Sequence, residues 1–221
     1  MSRRSTAVAL LTAAVAGLAG TILLPASADA SAQLALIEAQ PARWMGANVL
    51  LVISFLCFAG GLFGLTGLFR AQGSRLGVAA TVLAALGWAL HIGPVAYVMA
   101  QYPLASHPDR AGAVEIAAAM FTAPPFAVLI VPVLLATVAG TLALAVALWR
   151  TRLAPRWAAV TLVAALAADF AAPDAVSGIM MFALMGVALA PLSARLFVLE
   201  TTAGPKPEGH PVLHGRSKIM R

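Results

Sequence analysis

A histidine, His91, interrupts the apolar stretch LGWALHIGPVAYVMAQYP (86–103), two residues before a Gly93-Pro94 break. A carboxylate, Asp169, interrupts a second apolar stretch, WAAVTLVAALAADFAA (157–172). A charge at the centre of a membrane span costs roughly 2.5–3.5 kcal/mol on the insertion scale, so each group needs a physical reason to be there. Depth can be compared by counting from the nearest arginine at the same end of each stretch. His91 lies 16 residues beyond Arg75 and Asp169 lies 13 beyond Arg156. At about 1.5 Å per helical residue, that is about 20–24 Å from either anchor. Cys57, Thr137 and Met181 fall at a similar level, with Ser54 and Ser177 slightly further out. An imidazole and a carboxylate at one depth can carry protons, hold a cation or bind a polar ligand. The competing reading is structural: one hydrogen-bonded contact between two helices, or each group reaching the interface alone.

Other chemistries have less to build on. Membrane haem needs axial ligands such as His/His or His/Met. Here the only intramembrane histidine is His91, with Met180, Met181 or Met185 as the second ligand. Copper through Cys57, His91 and those methionines is chemically open, since thiolate and thioether are soft ligands, so the metal question stays unknown. Methionine in an apolar helix more often fills space. The chain carries no phosphate-binding glycine loop, no zinc-protease helix motif and no serine elbow. Neither an enzyme nor a bound cofactor is expected.

The elements that position these residues follow from composition. The chain is 62% hydrophobic and 10% charged, with mean hydropathy +0.94. A soluble domain carries about 25% charged residues, and water would not tolerate this much apolar surface. The net charge of +6 is assigned to loops on one side of a membrane and not to a nucleic-acid-binding face. Six apolar runs are separated by short polar turns: 6–24, 45–69, 76–99, 124–149, 157–172 and 176–199. Roughly 20 helical residues cross about 30 Å of hydrocarbon, and lipid-embedded backbone must satisfy itself within each helix. The expectation is an all-α polytopic transmembrane bundle of six spans.

Alternating the spans from a cytoplasmic N-terminus leaves only Arg43 and Arg110, of the 14 basic residues, on the outer side. This asymmetry predicts a multi-pass protein of the plasma (cytoplasmic) membrane with its C-terminus inside. Its partners would be the bilayer and, at the basic loops and tail, anionic inner-leaflet lipid. The protein partner is unknown. Residues 1–30 also have the layout of a secretory signal: Arg3-Arg4, an apolar stretch, Pro25, and Ala28-Asp29-Ala30 as a cleavage pattern. The apolar stretch is longer than the usual 7–15 residues of a signal and long enough to span. Cleavage would leave five spans. Cys57 is the single cysteine, so no intramolecular disulfide forms.

The remaining domains are an external segment (31–44), the bundle (45–199) and a Pro/Gly-rich basic tail (200–221) expected to be disordered. Residues 106–121 read as an amphipathic helix in the outer interface, either a lid or a passive connector. Gly60-x-x-x-Gly64 predicts close helix packing. FRAQGSRLGVAATVLAAL (69–86) resembles WRTRLAPRWAAVTLVAAL (149–166) at an offset of 80, as expected of a repeated hairpin. The turn RTRLAPRW, with the hydropathy outline, resembles small multi-span bacterial membrane proteins of uncharacterised function. That resemblance implies a polytopic membrane protein and transfers no site residue. The leading functional expectation is a small transporter or permease-like protein with a polar site in the outer half of the bilayer. The alternatives are a non-catalytic scaffold or sensor working through its tail, or a membrane haem or copper protein.

Overall fold

A computed structural model describes residues 1–172 and 174–201. Among the described residues, ten helices follow one another and there is no strand. They are α1 (Arg3–Leu23), α2 (Ala30–Ala39), α3 (Pro41–Ala71), α4 (Arg75–Leu90), α5 (Ile92–Met99), α6 (Tyr102–Ala105), α7 (Arg110–Met120), α8 (Pro124–Thr151), α9 (Arg156–Ala171) and α10 (Asp174–Thr201).

Six of them close a ring in chain order: α1 packs on α3, α3 on α4, α4 on α8, α8 on α9, α9 on α10, and α10 back on α1. The expected all-α bundle is therefore present. Among the described residues, five helical segments are long and apolar enough to cross a membrane: 3–23, 41–71, 75–105, 110–151 and 176–198. The sixth ring member, α9, has 16 residues and rises about 24 Å, short of a full crossing without help at its ends. The N-terminal helix is one of the five.

Missing side chains set how closely the ring closes. Gly61 and Gly64 on α3 leave room for Leu10 and Thr6 of α1, and Gly20 on α1 leaves room for Leu51. A methyl group on Gly60 would meet nothing within 4 Å. The close approach is therefore made by Gly61 with Gly64, and Gly60 takes no part in it. On the other side of the ring, Gly87 of α4 lies against the Thr137 backbone, and Gly140 of α8 lies against the Ala84 backbone. Phe58, Trp88 and Phe182 fill the centre, with Phe58 and Trp88 stacked at 4.8 Å.

One end of the ring carries a cap with its own small core. Leu34 and Ile37 of α2, Trp44, Ala105, and Ala113 and Ala117 of α7 are buried together. The segment expected to be external from 31 to 44 is thus a helix followed by the first turn of α3. The helix expected over 106–121 packs through Ala113 and Ala117 into this core, with Ile116 exposed. The two arginines at this end hold the cap. Arg43 donates to the Leu23 carbonyl at 2.8 Å. Arg110 donates to the Ala105 carbonyl at 2.7 Å and pairs with Glu38 at 3.5 Å. The opposite end carries the α3–α4 and α8–α9 turns, with Arg70, Arg75, Arg150, Arg152 and Arg156. Beyond Thr201, the expected tail lies outside the described residues.

Candidate functional site

The chain breaks at His91, between α4 and α5. The cause lies three residues on: Pro94 has no amide to give to the Leu90 carbonyl, and its ring crowds that carbonyl. The His91 amide turns to the Trp88 carbonyl at 3.3 Å, a tightened i to i−3 bond. The Gly87 carbonyl, which a regular helix would pair with that amide, instead accepts from the His91 ring at Nδ1, 2.9 Å away. A carbonyl only accepts, so Nδ1 carries the proton and the neutral ring keeps Nε2 as its acceptor. The Thr137 hydroxyl sits 3.4 Å from the same Nδ1. It arrives there because Gly87 has no side chain to hold α8 away. The ring also lies 5.1 Å from Trp88 and 5.0 Å from Phe55, centroid to centroid.

His91, Thr137, Asp169 and Met181 line one cavity of about 160 Å³, with Phe55, Trp88, Phe170 and apolar residues of α8 and α9 as its remaining walls. Four of the expected polar-layer residues therefore share a space, drawn from the α4–α5 break, α8, α9 and α10. His91 and Asp169 do not touch: among the described residues, no hydrogen bond or ion pair joins them. The Asp169 carboxylate, half-buried, has no hydrogen-bond partner among the described residues, and neither does His91 Nε2. Trp88 is 1% exposed, and its indole N–H has no acceptor among the described residues.

The other expected members are elsewhere. Ser54 is fully buried and donates to the Ala13 carbonyl of α1 at 2.6 Å, on the seam between α1 and α3. Cys57 is half-buried beside the main core and does not line the cavity. Ser177 does not line it either. A copper set joining Cys57 to His91 and Met181 is accordingly not assembled here. Among the described residues, no three histidine, cysteine or acidic side chains gather as a metal site.

Sequence reasoning missed the aromatic walls. Trp88 precedes His91 by three residues, a spacing that puts both on one helix face. A tryptophan at mid-span, away from the interfacial belt where it is usual, was the available signal. Phe55 and Phe170 carried none beyond hydrophobicity. No protein-family model, curated protein or solved structure matches the chain.

Proposed function

We propose that this is a small transporter or permease-like membrane protein that moves a proton or a small polar solute through the His91–Asp169 cavity. One observation carries the reading. His91, Asp169 and Trp88 all line one largely apolar cavity, and His91 Nε2, the Asp169 carboxylate and the Trp88 indole N–H have no partner among the described residues. Leaving a buried polar group unsatisfied costs about 1–3 kcal/mol, more if it is charged. A passive helix contact would have joined these groups to each other. The space between them is instead room for an occupant that bonds to both, water or a small solute. At about 160 Å³ it is well below the roughly 300–1,000 Å³ of sites for drug-sized ligands, which favours a proton relay through water or a solute of a few heavy atoms. His91 is suited to receive a proton at Nε2 because Nδ1 is already committed to Gly87.

The arginine distribution supports a cytoplasmic basic end and an outward-facing cap, and with them a cavity in the outer half of the bilayer. The fit of α1 into the ring supports its retention as a bundle helix.

The test is a proton flux in proteoliposomes carrying an internal pH dye, under an imposed potential. Wild type should acidify or alkalinise the lumen, and Asp169→Asn and His91→Gln should each reduce the rate at least tenfold while the protein remains folded. Flux unchanged in both variants, together with no solute uptake in a screen of small polar compounds, overturns the reading.

A further inference from the structure

A second cavity lies at the other end of the ring. A cleft of about 600 Å³ opens at the α8–α9 turn, with Arg152, Arg156 and Arg195 on its wall beside Pro155 and Pro191. Three arginines line it, and among the described residues no carboxylate pairs with any of them. Two are held in place. Arg195 donates to the Arg152 and Leu153 carbonyls at 3.1 and 2.9 Å. Arg156 lies 5.0 Å above the Trp149 ring.

Arg152 adds an independent sign. Its backbone is left-handed, φ 53, and among the described residues it is the only non-glycine with positive φ. A helix normally ends this way on glycine, because a Cβ is disfavoured in that conformation. The corresponding turn between α3 and α4 does use glycine, Gly73 at φ 68. The α8–α9 turn accepts the strain of an arginine at the mouth of the cleft.

Trp149 connects the cleft to a second feature. It lines an apolar groove of about 260 Å³ between α8 and α9, whose walls include Leu142, Val146, Val160 and Val163, with Arg150 at its end. An apolar groove ending at a stacked tryptophan–arginine pair, beside further arginines with no carboxylate partner among the described residues, has the chemistry to receive an amphiphile with an anionic head. Planar guanidiniums match phosphate oxygens two at a time. We propose that the α8–α9 turn binds an anionic phospholipid, its phosphodiester in the arginine cleft and one acyl chain in the groove.

The test uses the full chain in neutral detergent, with lipid binding followed by native mass spectrometry. Phosphatidylglycerol should bind about tenfold or more tightly than phosphatidylcholine of the same chains. Basic residues near a membrane surface contribute about 1 kcal/mol each, about fivefold. Arg152→Gly and Arg156→Gln should each weaken phosphatidylglycerol binding by about that factor. Arg152→Gly suits the backbone, so its melting temperature should hold or rise, separating lost binding from lost fold. Arg70→Gln, which removes one charge from the same end, should change binding less than twofold. Val160→Trp should obstruct the groove, weakening the lipid but not soluble glycerol phosphate. Four results overturn the proposal: equal loss from Arg70→Gln and Arg152→Gly, equal binding of phosphatidylcholine, glycerol phosphate binding as tightly as the lipid, or no effect of Val160→Trp.

Discussion

Two seams of the ring are built the same way and end differently. Between α1 and α3, glycines let the helices approach, Leu10 and Thr6 occupy the space, and the buried Ser54 hydroxyl is satisfied by a carbonyl across the seam. Between α4 and α8, glycines bring backbone against backbone at Gly87 and Gly140. There the polar groups beside the contact, His91 Nε2 and Asp169, have no partner among the described residues and lie around a cavity. Small residues drive helix approach in lipid in both cases. The difference lies at Pro94: the break it imposes ends regular helix at His91 and turns a packing seam into the wall of a cavity. A polar residue in a membrane helix is thus informative when its partner is missing, less so when it is merely present.

The largest test of the comparison concerns the first seam as a whole. If α1 is a ring helix, the mature chain keeps it, and an intact-mass measurement should account for residues before Ser31. A chain beginning at Ser31 that stays folded would mean the α1–α3 seam is dispensable. Deleting residues 1–30 should abolish recovery of folded protein, since the Gly61 and Gly64 recesses and the Ser54 hydroxyl would lose what fills them.

Next come the glycines. A methyl group at Gly140 would come within 2.5 Å of the Ala84 Cα, so backbone has to move. Gly140→Ala should destabilise by about 1–3 kcal/mol in reversible unfolding. Gly61→Ala should cost less, because its nearest obstacle is the Leu10 side chain and the Leu10 backbone nitrogen stays 3.2 Å away, whereas at Gly140 the obstacle is backbone itself. Gly60→Ala meets open space and should be neutral or slightly stabilising. Equal costs at all three positions would break the distinction between the seams.

The smallest effects separate the hydroxyls. Ser54→Ala removes a buried 2.6 Å bond and should cost about 0.6 kcal/mol, the average for side-chain bonds between membrane helices. Thr137→Val removes only a 3.4 Å contact to His91; its stability should be unchanged within error, while the proposed proton flux should fall. A stability loss at Thr137 larger than at Ser54 would make the cavity wall a packing contact like the other seam.

Much of this was legible in one dimension. The apolar runs gave the helices because lipid permits no other open backbone, and arginines marked their ends. Counting residues from those arginines put His91, Asp169, Thr137 and Met181 at one level, and they do share a cavity. The same count included Ser54, Cys57 and Ser177, which the cavity excludes, because depth fixes height along a helix but not which way the residue faces around the bundle. Gly60 was misjudged for the same reason: one residue along a helix is 100° of rotation, enough to exchange it for Gly61.

By itself, then, the sequence determined composition, helix, turn and height, since these follow from transfer of side chains into lipid and from local backbone chemistry. Only the tertiary structure decided azimuth: that six helices close in chain order, that Arg43 and Arg110 are consumed in a cap, and that His91 and Asp169 face a common space without touching. Azimuth depends on which helices become neighbours, and that is settled by packing between residues far apart in the chain, where no local pattern reports it.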